Sequence, residues 1–192
     1  IFKYLGFFIN EFQELLLSLG ITSNINTLSI VLPVGISFYT FQTLSYTIDI
    51  YRKKIIPTNN FIVFSTFVSF FPQLVAGPIE RAKDLIPQFE QKRSFDNKLA
   101  NSGLFLILWG IFKKVLIADN CAPIVDDIFS TDTTQTGISV LIGSFLFGCQ
   151  IYCDFSGYSD IAIGTARLLG IKLSTNFRTP YLAHNVTEFW RK

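Results

Sequence analysis

Three long stretches of this chain, residues 15–48, 55–79 and 133–153, contain no Asp, Glu, Lys or Arg. A helix of about 20 mostly apolar residues crosses a bilayer, and lipid admits only backbones that satisfy their own hydrogen bonds. The windows therefore point to an all-α, polytopic transmembrane protein. Composition agrees where it bears on this point. Charged residues make up 16% of the 192, against about 25% in soluble domains. Twenty-one phenylalanines are more than a core of this size hides from water, and lipid is the solvent they suit. Membrane lipid is thus the first expected partner, and a net charge of +2 gives no reason to expect nucleic acid. The chain has no Met, opens on Ile1 inside an apolar stretch and closes on Trp190-Arg191-Lys192. Residues 1–192 read as a single membrane domain, a fragment of a larger one truncated at both ends.

The windows differ in kind. Residues 28–50 are long enough to span, and the Pro33 and Gly35 inside them are tolerated in membrane helices packed against neighbours. Over residues 1–21, Ile1, Leu5, Phe8, Phe12, Leu15, Leu16 and Leu19 recur at a helical period, with Asn10, Glu11, Gln13 and Glu14 opposite. That pattern predicts a span facing the protein interior. In residues 61–79 only 61–71 read as unbroken helix before Pro72, about 16 Å at 1.5 Å per residue against a hydrocarbon core of about 30 Å. Both flanks, Arg52-Lys53-Lys54 and residues 81–98, are basic, so a single crossing would place one cluster outside, against the positive-inside tendency. A re-entrant segment broken at Pro72, Gly77 and Pro78 resolves both conflicts. Irregular backbone at that depth must be shielded or line a cavity, so a cavity wall is expected there.

Residues 99–118 form a further apolar stretch that carries Lys113-Lys114. An acidic connector with Asp119, Asp126, Asp127 and Asp132 suits the outer face, and residues 137–153 return inward to a tail with Arg167, Lys172, Arg178, Arg191 and Lys192. Lys113 and Lys114 fit this topology badly. Either they snorkel toward water or their helix begins deeper, and as a pair they could also attract an anionic donor.

Asp154, Ser156, Tyr158 and Asp160 follow directly on the apolar 133–153 window, with Gly157 among them. Charges at such depth face an interior or a water-filled path, and a solvated helix end is the alternative. Arg167 lies two helical turns beyond Asp160 and shares its face if the helix continues. These four residues, with Arg167, Lys113 and Lys114, are the candidates for a substrate path. His184, the only histidine, sits among polar neighbours and reads as a surface residue. No metal site is expected, because Cys149 and Cys153 lie one turn apart without His or carboxylate partners. Phosphate-loop and serine-nucleophile motifs are absent.

The strings LPVGISFYTFQTLSYTIDIYR, FFPQLVAGPIERAKDLIPQF and YCDFSGYSDIAIGTARLLGIKLSTNFRTPYLAHNVTEFWRK resemble the membrane-bound O-acyltransferase family. The nearest branch is that of alginate acetylation, with D-alanyl transfer to teichoic acid as a related one. The resemblance implies a multi-pass enzyme of the bacterial inner membrane, with helices around a funnel. The donor would be acetyl-CoA or another acyl thioester, such as an acyl-carrier protein, arriving from the cytoplasm, and no bound cofactor is implied. The acceptor would be an exported, alginate-like polysaccharide or an extracytoplasmic acyltransferase partner. It also implies that catalytic histidines lie beyond Lys192, so residues 1–192 hold no catalytic residue and alone would be inactive. A transporter or channel, whose broken helices also mark substrate paths, is the competing class.

Overall fold

The computed structural model describes residues 5–20, 35–74, 77–130, 136–177 and 179–190. Every regular element among them is helical. The chain divides into two units, Ile1–Ile36 and Ser37–Lys192. In the first, α1 (Leu5–Ser18) is closed by Gly20, whose φ of 76° is the left-handed conformation that ends a helix. Phe7, Phe8, Phe12 and Leu15 on α1 are exposed.

The second unit holds the remaining helices. The helix expected over 28–50 begins only at α2 (Ile36–Tyr51), because Gly35 takes φ 77° and cannot sit inside it; residues 28–34, Pro33 included, lie outside the described residues. Helix α3 (Phe61–Ser69) starts where the Asn60 side chain accepts from the Ile62 and Val63 amides. It stops short of Pro72, whose ring has no N–H and opposes continuation, and a 3-10 turn over Phe71–Gln73 follows. The break frees the Phe67 carbonyl, which two buried side-chain amides take up: Gln42 Nε2 at 2.9 Å and Gln73 Nε2 at 3.3 Å. That contact answers the requirement that backbone polar groups be paired where water is scarce.

The chain then folds back on itself. Helix α4 (Ala82–Glu90) packs against α3, and Glu90 Oε1 accepts from the Thr58 hydroxyl at 3.5 Å, so the end of α4 lies beside the start of the stretch. Tyr46, Phe67, Phe70, Ala82, Leu85, Ala166 and Ile171 form the core beneath it.

Helix α5 (Asn97–Ile111), a π-helix (Phe112–Ala118) and α6 (Asp119–Phe129) follow one another without a gap. The acidic stretch expected as a connector is thus helical as far as Phe129, and it packs on the helix that comes next. That helix, α7, runs over Gly137–Leu168, 32 residues. Two short pieces, a 3-10 turn at Pro180–Leu182 and α8 (Val186–Phe189), end the described chain. Among the described residues α7 is the one helix both long and apolar enough to cross a bilayer, whereas Phe61–Gln73 is apolar but short.

Candidate functional site

The candidate site lies where α5 and the π-helix cross α7. A capping box of Thr136 and Ser139 starts α7, and Gly170 at φ 72° ends it, with the Ile171 amide donating to the Ala166 carbonyl at 2.9 Å. Asp154 through Asp160 therefore sit within a continuous helix. A solvated helix end, one of the two readings from sequence, does not describe them, because α7 passes Cys153 without interruption.

Two glycine pairs set the spacing of the helices. A Cβ on Gly103 would meet the Gly164 carbonyl oxygen at 2.7 Å, and one on Gly110 the Gly157 oxygen at 2.5 Å. The converse contacts, Gly164 to Gly103 at 2.5 Å and Gly157 to Gly110 at 2.8 Å, are as close. Gly103 and Gly110 are two helical turns apart, as are Gly157 and Gly164, so backbone meets backbone along one seam. Small residues at such seams allow close approach where hydrophobic burial gives little drive in lipid. A Cβ on Gly157 would also lie 3.2 Å from the Lys114 amide nitrogen and 3.4 Å from Lys113 Cβ. Gly157 thus makes room for the π-helix itself.

The π-helix turns both lysines onto α7. Such segments are rare and mark functional positions more often than chance allows. Here the Asn120 amide donates to the carbonyls of Val115 at 3.0 Å and Leu116 at 3.1 Å, pairing groups near the irregular turn. Lys113 Nζ lies 2.7 Å from Asp160 Oδ2 and donates to Ser156 Oγ at 2.9 Å. Its side chain is 9% exposed and that of Asp160 19%. Lys113 therefore does not snorkel: a carboxylate within ion-pair distance satisfies it in place. Lys114 Nζ bridges Asp154 Oδ1 at 2.7 Å and Asp119 Oδ1 at 2.8 Å, and all three side chains are at least 42% exposed. The cluster thus sets two ammonium groups against three carboxylates, one pair with Lys113 buried and Asp160 partly so, and one trio open.

The remaining candidates fall around this pair. Arg167 continues the same α7 face, but its guanidinium donates to Ser102 Oγ on α5 at 3.2 Å, and Asp160 takes Lys113 instead. Tyr158 is half-buried within α7. Ser159, which sequence reasoning passed over, is 1% exposed, and its hydroxyl finds no partner among the described residues. At the broken segment Pro72 and Pro78 are buried. A Cβ on Gly77 would stand 2.5 Å from Gln73 Cα and 2.9 Å from the Pro72 oxygen, so only glycine fits this fold-back.

A cavity of about 550 Å³ lies away from that segment, between Ile151, Tyr152 and Phe155 of α7 and a wall formed by Thr175–Phe177, Pro180, Tyr181, Phe189 and Trp190. Its aromatic members are scattered along the sequence, and no periodic signal groups them. The Tyr181 hydroxyl donates to the Gly148 carbonyl at 2.8 Å, and partial burial pushes its pKa above the usual tyrosine value, which keeps it a donor. His184 is exposed; its backbone amide bonds Glu188 Oε2 at 2.8 Å, and Asn185 caps α8. A surface histidine was expected and is found.

Comparison with known proteins now bears on this arrangement. A family model described as the membrane-bound O-acyltransferase family matches residues 52–192, a range that contains the glycine seam, both lysines and the broken segment. The probable alginate O-acetylase AlgI of Pseudomonas aeruginosa is 42% identical over 191 residues, covering 100% of this chain and 36% of that protein. The peptidoglycan O-acetyltransferase of Helicobacter pylori is 38% identical, with 100% and 40% covered. The teichoic acid D-alanyltransferase of Streptococcus thermophilus is 27% identical, with 98% and 46% covered. The chain thus spans less than half the length of each of these relatives. A family match that takes in most of its residues and the whole α5–α7 site shows that the chain belongs to the membrane-bound O-acyltransferase family.

Proposed function

We propose that residues 1–192 are part of one larger membrane domain of an O-acetyltransferase in the bacterial inner membrane, acting on hydroxyls of an exported polysaccharide. The observation that carries this reading is the order of identities. Relatives named for O-acetylation of alginate and peptidoglycan stand at 42% and 38%, and one named for D-alanyl transfer stands at 27%. Both of the nearer names describe acetyl esters on a glycan polymer.

The chemistry is acyl transfer from a thioester. A hydroxyl oxygen attacks the thioester carbonyl carbon, a general base takes the hydroxyl proton, and the C–S bond breaks to release the thiol. The donor in this reading is acetyl-CoA or a loaded carrier protein on the cytoplasmic side. The acceptor is the polysaccharide itself or an extracytoplasmic acyltransferase that relays the group. The base is a histidine outside residues 1–192. The protein crosses the membrane several times, and the fold-back joining Thr58 to Glu90 supports a re-entrant 61–79 with both basic flanks in the cytoplasm. Within the α5–α7 site, Asp160, Ser156 and Lys113 act by positioning the helices beside the path. Asp154 and Lys114, being half-exposed, are the members open to a substrate, with Tyr158 and Arg167 along the same helix.

Deleting the gene in its own host tests this. Loss of base-labile acetyl esters from the exported polysaccharide, restored by the full-length gene, is the expected result. Unchanged acetyl esters together with loss of D-alanyl esters would move the assignment to the teichoic acid branch.

A further inference from the structure

Glu80 follows directly on the broken segment and is buried, at 7% exposure. Among the described residues it forms no ion pair. A carboxylate is costly in such a place, and an apolar side chain would fill it without that cost. Its hydrogen bond is to the backbone amide of Ser174, across the domain in sequence.

Ser174 lies in the irregular stretch, residues 171–177, that follows α7. Ile171 is 1% exposed in the core. The next residue is held at both backbone groups by one side chain: the Lys172 amide donates to Gln88 Oε1 at 2.8 Å, and Gln88 Nε2 donates to the Lys172 carbonyl at 3.0 Å. Ser174 then receives Glu80, and the very next residue, Thr175, is the first in the wall of the aromatic cavity. The carboxylate therefore grips the chain at the last point before the wall. Gly77, which admits no side chain, and Pro78, fully buried, fix the backbone that presents it.

We propose that Glu80 is a positioning residue that ties the broken segment to the wall of the aromatic cavity, so that the register of Thr175–Phe177 against α7 depends on the Glu80–Ser174 contact. What the contact requires is an acceptor oxygen at that place; Gln supplies one in the same shape, and Ala does not.

The test is made in the full-length protein in native vesicles, with cysteines replaced and a single cysteine introduced by Asn176→Cys in the cavity wall. The readout is its rate of modification by a small maleimide, which does not depend on acyl transfer and so stands apart from the functional assignment. Glu80→Ala should raise the rate at least about tenfold, and Glu80→Gln should leave it within twofold. Ser174→Pro, which removes the donor from the other side, should match Glu80→Ala and serves if that variant accumulates poorly. An unchanged rate in Glu80→Ala or Ser174→Pro overturns the proposal, as does a rise in Glu80→Gln. Failure of both Glu80→Ala and Ser174→Pro to accumulate also counts against it, since the contact would then hold the fold as a whole and not the wall.

Discussion

Lys113 and Asp160 face each other at 2.7 Å with side chains 9% and 19% exposed, while Lys114 and Asp154 meet at the same distance with 42% and 45% exposed. Equal geometry in unequal surroundings gives unequal consequences. Removing one partner of a buried pair leaves the other charge uncompensated, which costs roughly 3–5 kcal/mol. Asp160 retains some contact with the surroundings, so Lys113→Met should destabilise the protein by about 3 kcal/mol, the lower end of that range. Ser156, whose hydroxyl accepts from Lys113 at 2.9 Å, loses that donor in the same variant. The double variant Lys113→Met/Asp160→Leu removes both charges and should recover most of the loss, since replacing a buried pair by apolar groups is often neutral. The exposed pair behaves differently: Lys114→Met should cost no more than about 1 kcal/mol. Reversible unfolding in mixed micelles, read as a double-mutant cycle, measures all of these. A coupling energy between Lys113 and Asp160 no larger than that between Lys114 and Asp154 would refute the burial argument.

Other outcomes follow from the same geometry. Gly110→Ala should destabilise by about 1–3 kcal/mol through overpacking, because its Cβ would meet the Gly157 oxygen at 2.5 Å; Gly137→Ala, with open space around it, should be near neutral in the same melt. Single cysteines at Thr58 and Lys92 should label from the same side of the membrane in intact cells, and labelling from opposite sides would mean that 61–79 crosses. In the full-length protein Asp160→Asn should lower acyl transfer per accumulated molecule at least about tenfold, roughly 1.4 kcal/mol, and an unchanged rate per molecule would remove Asp160 from the functional account.

The legible parts of this fold are those whose cause is local. Pro72 ends a helix because of its own ring, so the break in 61–79 could be read before any packing was known. The all-helical class followed likewise from charge-free windows alone. The start of α2 at Ile36 depended on the φ of Gly35, and the sequence left open whether that glycine would sit inside a helix or before one. From sequence alone, α7 can end after Cys153 or run on past Asp154 and Asp160. They are carried within the helix, where lysines on the π-helix meet them. The π-helix that aims those lysines depends in turn on Gly157 having no side chain. Lys113, Lys114, Asp154, Ser156, Tyr158, Asp160 and Arg167 stand out in the sequence, whereas Ser159 and the seam glycines Gly103, Gly110 and Gly164 do not, nor does the pairing of Lys113 with Asp160 in place of Arg167, which is set by a seam between two distant helices. The cavity wall was expected along 61–79, whereas the aromatic cavity described here lies between α7 and residues 175–190.

In the proposed function the full-length protein moves acetyl groups from a cytoplasmic thioester to an exported glycan. Inside-out vesicles containing the full-length protein and its polysaccharide acceptor, supplied with acetyl-labelled coenzyme A thioester or acetyl-loaded carrier protein, measure this directly. Label should appear in the polysaccharide as base-labile ester, and vesicles lacking the protein should incorporate none. Label that never leaves the donor, with D-alanine transferred in its place from a loaded carrier protein, would contradict it.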